Sequence, residues 1–349
     1  MFRLKYFEVY RTSAVILIAL AIAFLIISLV SSQPVETIRI FLFEPLSTVS
    51  RMGNVVEMAI PLMFTGLSVS LLFKTNMFNL GAEGIFYISG IVAAILAIHL
   101  SMNGILHPII AIAAGSITGA LISAIPGYLK AKWNANELVT SLMFNSILFG
   151  IGLYLLNYHL RDAKAFSNVS YKFAQTAQLD KIIPGTRLHT GLIIVLVLIV
   201  AAHFFMYRTR WGYELRMTGA NREFAGYSGM KTAKVIVVVH LIAGFIAGMG
   251  GSVEVLGMYN RFQWTALPGY GLDGALVAML AKNNPLSVIG AALFLAYIRI
   301  GADLMARLSD VPSEMISIIQ AVIILLISAE QFLKFWKNRM LLKEAKLHE

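Results

Sequence analysis

Two stretches of the chain begin alike: residues 81–100 read GAEGIFYISGIVAAILAIHL, and residues 271–281 read GLDGALVAMLA. In each stretch, two glycines flank an acidic residue, and an apolar run follows. A proline then precedes a segment rich in small residues, at Pro108 in the first copy and at Pro285 in the second. A motif that recurs with the same surroundings indicates that the chain contains an internal repeat.

The composition around these stretches is that of a membrane protein. Of the 349 residues, 58% are hydrophobic and 13% are charged, whereas a soluble protein carries about 25% charged residues. The mean hydropathy is +0.77. The chain has no cysteine, which excludes disulfides, thiolate metal sites and cysteine nucleophiles. These values exclude an ordinary soluble enzyme and predict an all-α polytopic membrane protein.

Apolar runs long enough to cross a membrane occur throughout the chain, since a crossing helix needs roughly 20 residues. The runs lie at residues 12–31, 55–73, 84–100, 109–128, 138–156, 191–206, 235–257, 286–306 and 313–329. A tenth apolar segment, 270–281, is shorter, and the sequence leaves open whether it spans the membrane or re-enters. We therefore predict about ten transmembrane helices within a single domain, 1–349.

The basic residues predict the orientation of the helices. The chain carries 28 Lys and Arg against 18 Asp and Glu, and basic residues collect on the cytoplasmic side of membrane proteins. If 270–281 counts as a crossing, most of them fall on one side together with both termini. The amino terminus 1–11, the loop 207–234 and the basic tail 330–349 are then cytoplasmic. We interpret the tail as a solvated cytoplasmic stop that anchors the last helix, with a patch that binds membrane lipid as the alternative, and nothing beyond charge supports binding of nucleic acid.

This orientation also relates the two copies of the repeat. The first copy enters from the cytoplasmic side and the second from outside, which is typical of an inverted repeat of five plus five helices. Inverted repeats place a transport pathway between their halves, and Glu83 and Asp273 are the acidic residues nearest to that seam. Both acids lie near helix ends, so they either cap backbone groups or contact a substrate.

A polar stripe at residues 136–145 offers further candidates. Glu137, Ser141 and Asn145 are spaced four residues apart and therefore share one helical face. This face either lines a cavity or hydrogen-bonds a neighbouring helix. The candidate pathway residues are Asn79, Glu83, Glu137, Ser141, Asn145 and Asp273.

The loop 207–234 is long for a plain connection between helices. Within it, Asn221 is a residue type that begins helices, and Gly229 is one that ends them. Phe224 and Tyr227 then share an apolar face that the loop itself cannot bury. This short helix either fits a groove on a partner or packs back on the bundle.

No constellation for catalysis is present in the sequence. The segment GYSGMKT, 226–232, lacks the glycine that precedes the lysine of a phosphate loop, and no strand precedes it. No histidine pair has zinc-protease spacing, and a packing role is expected for His240 among its apolar neighbours. Acids deep within the runs are scarce, which disfavours an ion-coupled secondary transporter. We expect no catalytic residue, metal or cofactor on this chain.

Four motifs together resemble one family. They read NMFNLGAEG at 76–84, NELVTSLMFN at 136–145, GANREFAGYSG at 219–229 and GYGLDG at 269–274. Their order and spacing resemble the permeases of ABC importers for branched-chain amino acids, ribose and nucleosides, over nearly the whole chain from the second predicted helix onward. The FNLGAEG form at 78–84 and the length of the chain look most like the larger permease of bacterial nucleoside importers.

The resemblance implies a fold similar to the ten-helix, vitamin B12-type (type II) importers and nucleoside transport across a bacterial plasma membrane. A sugar or branched-chain amino acid importer of the same group is the alternative, and an ion-coupled carrier is a more distant one. The implied partners are a second, homologous permease, a cytoplasmic ATPase that binds ATP and Mg, and an extracellular lipid-anchored binding protein.

The resemblance also assigns a segment that couples to the ATPase. The residues of this segment are Gly219, Asn221, Arg222, Phe224, Ala225, Tyr227 and Gly229. Relatives often carry proline directly after the asparagine, where this chain has Arg222. A proline at the first helical position would only preset φ, so Arg222 should keep the helix and add a charge.

Overall fold

The computed structural model describes residues 24–100 and 104–312, together with residues 18, 21, 22, 102, 315, 318, 321 and 322. Over these residues the chain is almost entirely helical, and no β-strand forms apart from two isolated bridges. The predicted all-α architecture is therefore confirmed. The amino terminus 1–11, the tail 330–349 and much of the predicted spans 12–31 and 313–329 lie outside the described residues.

The helices follow one another with short connections, except between α5 and α6. Their bounds are α1 Pro34–Phe43, α2 Val49–Lys74, α3 Ala82–His99, α4 Leu106–Trp133, α5 Glu137–Leu155, α6 Gly191–Arg208, α7 Arg210–Ala220, α8 Arg222–Tyr227, α9 Thr232–Met258, α10 Tyr270–Leu280 and α11 Pro285–Leu308. Residues 24–30 are helical as well.

Within the described part of the chain, seven helices are long and apolar enough to cross a membrane: α2, α3, α4, α5 with its extension to Leu160, α6, α9 and α11. They coincide with the apolar runs predicted between residues 55 and 306, apart from the short one. That segment forms α10, a helix of 11 residues. At about 1.5 Å per residue, α10 covers about half of the hydrocarbon core. The total of ten helices stays a prediction.

The chain divides into two compact units, which are Gly53–Ala296 and the combination of Met1–Met52 with Tyr297–Glu349. In the smaller unit, Asp310 accepts hydrogen bonds from Ser31 Oγ at 2.6 Å and from Ser32 N at 2.8 Å. The hydrogen bonds from Ser31 and Ser32 lower the pKa of Asp310 to about 2. The carboxylate therefore stays charged at neutral pH and holds the start of α1 to the residues that follow α11.

The core of the larger unit forms where α3, α4 and α9 pack against one another. Small residues line these contacts, so the helix backbones approach closely. A methyl group added to Gly251 would overlap the carbonyl oxygen of Phe86 on α3, and one added to Gly244 would overlap that of Gly119 on α4. His240 on α9 is buried and its Nδ1 bonds a carbonyl of its own helix at 2.8 Å, and its packing role stays a prediction.

One end of the larger unit is covered by residues 161–190, the segment between α5 and α6. Backbone hydrogen bonds tie this covering segment to two helix ends. Ala174 N donates to Ala97 O on α3 at 2.9 Å, and Leu179 N donates to Leu256 O on α9 at 3.0 Å. Because α9 ends here and begins after α8, the covering segment and α8 lie at opposite ends of the unit.

Replacing Gly251 by alanine should destabilise the protein, because the added methyl group would meet backbone atoms of Phe86 that no side-chain rotation can relieve. Overpacking of this kind costs about 1–3 kcal/mol. Gly150→Ala is the matched control, since nothing lies within 4 Å of a methyl group added there. Thermal unfolding of the detergent-purified protein compares the two variants, and equal midpoints would contradict the close packing of α3 and α9.

Candidate functional site

The buried carboxylate of Glu83 binds the start of α10. Its Oε1 accepts a hydrogen bond from Gly269 N at 2.6 Å, and its Oε2 accepts one from Gly271 N at 2.5 Å. Leu272 N lies 3.4 Å from the same Oε2. Gly269, with a φ of +85°, precedes the helix and has no side chain that could cap it. Glu83 on α3 therefore caps α10 in place of a local residue.

Polar side chains hold the start of α3 in a similar way. Asn145 on α5 accepts from Gly84 N at 2.9 Å and donates through Nδ2 to Leu80 O at 3.0 Å. Ser141, one turn earlier on α5, accepts from Leu80 N at 3.1 Å. Asn79 Oδ1 accepts from the N–H two residues later at 2.7 Å. The polar face of α5 thus bonds backbone groups of the segment that leads into α3.

The remaining two predicted pathway residues lie at different places. Asp273 is in the first turn of α10, 7% exposed, and its charge acts on the neighbouring Glu83. Glu137 forms an ion pair of 2.7 Å with Lys130 Nζ across the turn between α4 and α5. The structure therefore brings Glu83 and Asp273 together, whereas Glu137 is paired with Lys130. Contact of any of these residues with a solute stays a prediction.

The short helix α8 presents an exposed aromatic face. Asn221 begins the helix, and its side-chain oxygen accepts from Phe224 N at 2.9 Å, so the predicted helix start is confirmed. Phe224 is 56% exposed and Tyr227 is 93% exposed, whereas Ala225 is fully buried. Gly229 follows the helix with a φ of +83°. The helix thus packs on the bundle through one face and leaves its aromatic face open.

The region around α8 is connected to the transmembrane helices. Gly219, near the end of α7, packs against the backbone of Lys74 at the end of α2. Arg222 Nη1 donates to Asn134 Oδ1 at 3.3 Å, in the turn between α4 and α5. A displacement of this region would therefore reach the ends of α2 and α4 through direct contacts.

A cavity of about 420 Å³ lies beside α8. Its lining includes Arg210, Trp211, Tyr213, Lys231 and Lys234.

Three buried residues that the sequence did not single out meet in the larger unit: Glu57 on α2, His189 before α6 and Glu254 on α9. One ligating atom of each lies within 4.8 Å of the others, and each residue is at most 4% exposed. The expectation that acids are scarce within the spans overlooks Glu57 and Glu254. The signal was present in the sequence, because each is the one acidic residue of an otherwise apolar span, and such residues are costly to bury.

A hydrogen bond to His189 decides what this cluster can bind. Gly191 N–H donates to Nδ1 of His189 at 3.2 Å, which assigns the lone pair to Nδ1 and the hydrogen to Nε2. Burial lowers the pKa of His189 to about 4, so the imidazole is neutral near pH 7. A metal ion needs a free lone pair on one nitrogen, but Nδ1 is engaged and Nε2 has none. The residues do not fit a metal ion; they offer two acceptors and one donor.

Replacing Glu83 by alanine should lower the stability of the protein, because the first N–H groups of α10 would lose their acceptors inside the bundle. Each buried donor left unpaired costs about 1–3 kcal/mol. Glu83→Gln keeps one acceptor oxygen and should give an intermediate loss. Thermal unfolding in detergent provides the measurement.

The control for this experiment is Glu36→Ala, which removes an acid whose ion pair with Arg39, at 3.3 Å, is exposed. Such a pair contributes at most about 1 kcal/mol. A Glu83→Ala protein that unfolds at the same temperature as the Glu36→Ala protein would show that the cap on α10 is dispensable.

Comparison with known proteins identifies the family. Residues 51–328 match the family described as Branched-chain amino acid transport system / permease component. The glucose ABC transporter permease protein TsgB13 of Haloferax volcanii is 30% identical over 333 residues, which cover 92% of this chain and 87% of that protein. The guanosine ABC transporter permease protein NupP of Bacillus subtilis is 31% identical over 296 residues, covering 84% of this chain and 85% of that protein.

A third relative matches over the same share of the chain as the glucose permease. The nucleoside ABC transporter permease protein NupB of Lactococcus lactis is 24% identical over 334 residues, which cover 92% of each protein. The resemblance carried by the four sequence motifs is thereby confirmed. The chain is a transmembrane permease subunit of an ABC importer rather than an enzyme, and it belongs to the branched-chain amino acid transport system / permease component family.

Proposed function

We propose that this chain is the permease subunit through which an ATP-driven importer moves nucleosides across a bacterial plasma membrane. The observation that carries this substrate is the similarity to the guanosine permease of Bacillus subtilis along most of the chain. The likeness to the nucleoside permease of Lactococcus lactis supports the same substrate. In this proposal the chain only conducts the solute, and ATP and Mg bind to a separate ATPase.

The proposed docking element for that ATPase is α8 with the residues around it. Phe224 and Tyr227 form an exposed aromatic pair on a helix that is otherwise anchored to the bundle. Aromatic residues of this kind often supply much of the binding energy at protein interfaces. The contact of Gly219 with the end of α2 offers a route by which movement of the ATPase reaches the membrane. Closure of the ATPase would then switch the bundle between outward and inward access.

The remaining partners and the orientation are part of the same proposal. A second, homologous permease completes the transmembrane pore as a heterodimer, and an extracellular lipid-anchored protein delivers the solute. Loop 207–234 faces the cytoplasm together with 1–11 and 330–349. The position of Lys74 and Lys130 at the same end of the bundle as α8 supports this orientation, because basic residues favour the cytoplasmic side.

A sugar is the second candidate for the solute. The glucose permease of Haloferax volcanii matches nearly the whole chain at an identity close to that of the guanosine permease. Ribose, glucose and the sugar part of a nucleoside share neighbouring hydroxyl groups, so one permease architecture can serve them. A branched-chain amino acid has no such hydroxyl pair, and only the description of the family supports it as the solute.

Replacing Phe224 by aspartate should reduce the amount of ATPase that co-purifies with the permease at least tenfold. The reason is that an aromatic anchor contributes about 2 kcal/mol or more, and about 1.4 kcal/mol corresponds to a factor of ten in affinity. Quantitative immunoblotting of the affinity-purified complex measures the effect, and Tyr227→Asp should behave alike.

Phe166→Asp is the matched control, since Phe166 is fully exposed in the covering segment at the opposite end of the unit. Buried Ala225 is a poor test position, because a larger side chain there would disturb folding as well as docking. Equal recovery of ATPase with Phe224→Asp and Phe166→Asp would rule out α8 as the docking element.

Cells that lack their own importers but make this permease with its partners should take up labelled guanosine. Because the energy comes from ATP, uptake should stop on ATP depletion and persist in the presence of an uncoupler. Cells with the Phe224→Asp permease provide the background. Uptake of glucose or ribose without guanosine would support the second candidate, and uptake of leucine alone would disprove both.

A further inference from the structure

We infer that Glu57, His189 and Glu254 form a binding site for two neighbouring hydroxyl groups of the transported solute, as on a ribose or another sugar ring. The inference rests on the proposed function, because it names the part of the solute that the permease holds. The three side chains come from α2, the covering segment and α9. They are separate from the side chains that cap α3 and α10 and from the coupling region.

Polar atoms without partners distinguish this cluster from ordinary packing. Glu254 is 1% exposed, and apart from the side chain of Tyr270 beside it, its carboxylate oxygens have no hydrogen-bond partner among the described residues. Nε2 of the fully buried His189 also lacks a partner among those residues. Buried polar side chains nearly always have hydrogen-bond partners, so a cluster with several open positions calls for a ligand.

The open positions match the chemistry of hydroxyl groups. Glu57 and Glu254 can accept hydrogen bonds, and the Nε2–H of His189 can donate one. A hydroxyl group both donates and accepts, so two neighbouring hydroxyls can satisfy both acids and the imidazole together. The spacing agrees, since one hydroxyl oxygen at about 2.7 Å from each of two acceptors can join groups up to 4.8 Å apart.

The surroundings of the cluster suit an uncharged, ring-shaped solute. The positive charge of Arg187, in the covering segment, acts on Glu57. Burial raises the pKa of Tyr259, and the neighbouring Glu254 raises it further. The hydroxyl of Tyr259 is therefore protonated at neutral pH and lies near the acid. The ring of Tyr259 meets that of Trp264 edge-on at 5.8 Å. Aromatic rings of this kind pack against the apolar face of a sugar or stack on a nucleobase.

The site is closed to solvent in this structure, and the elements that close it can be named. Glu57, His189 and Glu254 stand on three different segments, so separation of the covering segment from α2 and α9 would open the site. The other end of α2 touches Gly219 next to the proposed docking element. A movement there can therefore change the distance between Glu57 and the two other residues, which links binding of the hydroxyls to the state of the ATPase.

The test uses the complete importer in liposomes, with ATPase, second permease and binding protein. Uptake of guanosine is compared with uptake of 2′,3′-dideoxyguanosine, which lacks the hydroxyl pair. Glu254→Gln should lower guanosine uptake about ten- to a hundredfold and leave the slow uptake of the dideoxy analogue unchanged, because an acceptor oxygen for the hydroxyls is replaced by an amide NH2 that can only donate. Glu57→Gln should act in the same direction, and exposed Glu36→Gln is the control.

The outcomes separate this inference from the proposed function. Because the same binding protein serves every variant, a change in the ratio of the two uptake rates must come from the permease. If Glu254→Gln leaves the ratio unchanged, because both uptake rates stay the same or fall by the same factor, the hydroxyl site is overturned and nucleoside import still stands. Failure of the unmodified importer to take up any nucleoside or sugar would refute the proposed function instead. The amount of ATPase that co-purifies with each variant should stay constant, which shows that the variant importers assemble.

Discussion

The hydrogen bonds between Glu83 and the first amides of α10 are the contact on which the architecture depends. In hydrocarbon, a backbone N–H without an acceptor is costly, so a helix that begins inside a membrane bundle needs an acceptor from elsewhere in the protein. Gly269 provides none, and Glu83 provides it from α3. This single carboxylate allows a half-length helix to stand among full-length ones, and it joins two segments that lie almost 190 residues apart in sequence.

The two copies of the sequence motif use the same physical device. In the first copy, Asn145 supplies the acceptor for Gly84 N at the start of α3; in the second, Glu83 does so for α10. The glycines of the motif follow from this, since a side chain at Gly84 would press on Asn145 at 2.8 Å, and one at Gly271 would overlap the backbone of Glu83. Each copy therefore needs small residues where a neighbouring helix delivers its polar group.

The features that the sequence could predict are those that depend on interactions between residues close together in the chain. Hydropathy predicted the spans because their energetics are additive along the chain, and Asn221 predicted the start of α8 because its bond closes within three residues. The partner of Glu83 could not be predicted, since it depends on how distant segments pack. The same holds for the meeting of Glu57 with His189, although a lone acid within an apolar span should have marked Glu57 as a candidate.

The cap on α10 also has an electrostatic consequence. A helix start carries roughly half a positive charge from its aligned peptide dipoles, and the broken helices of transporters commonly turn that end toward an anionic substrate. Here the carboxylate of Glu83 already occupies the position, with Asp273 in the same first turn. The dipole is neutralised from within the protein, so the interior offers no attraction to an anionic or zwitterionic solute at this point. An uncharged solute, by contrast, meets no opposing field there.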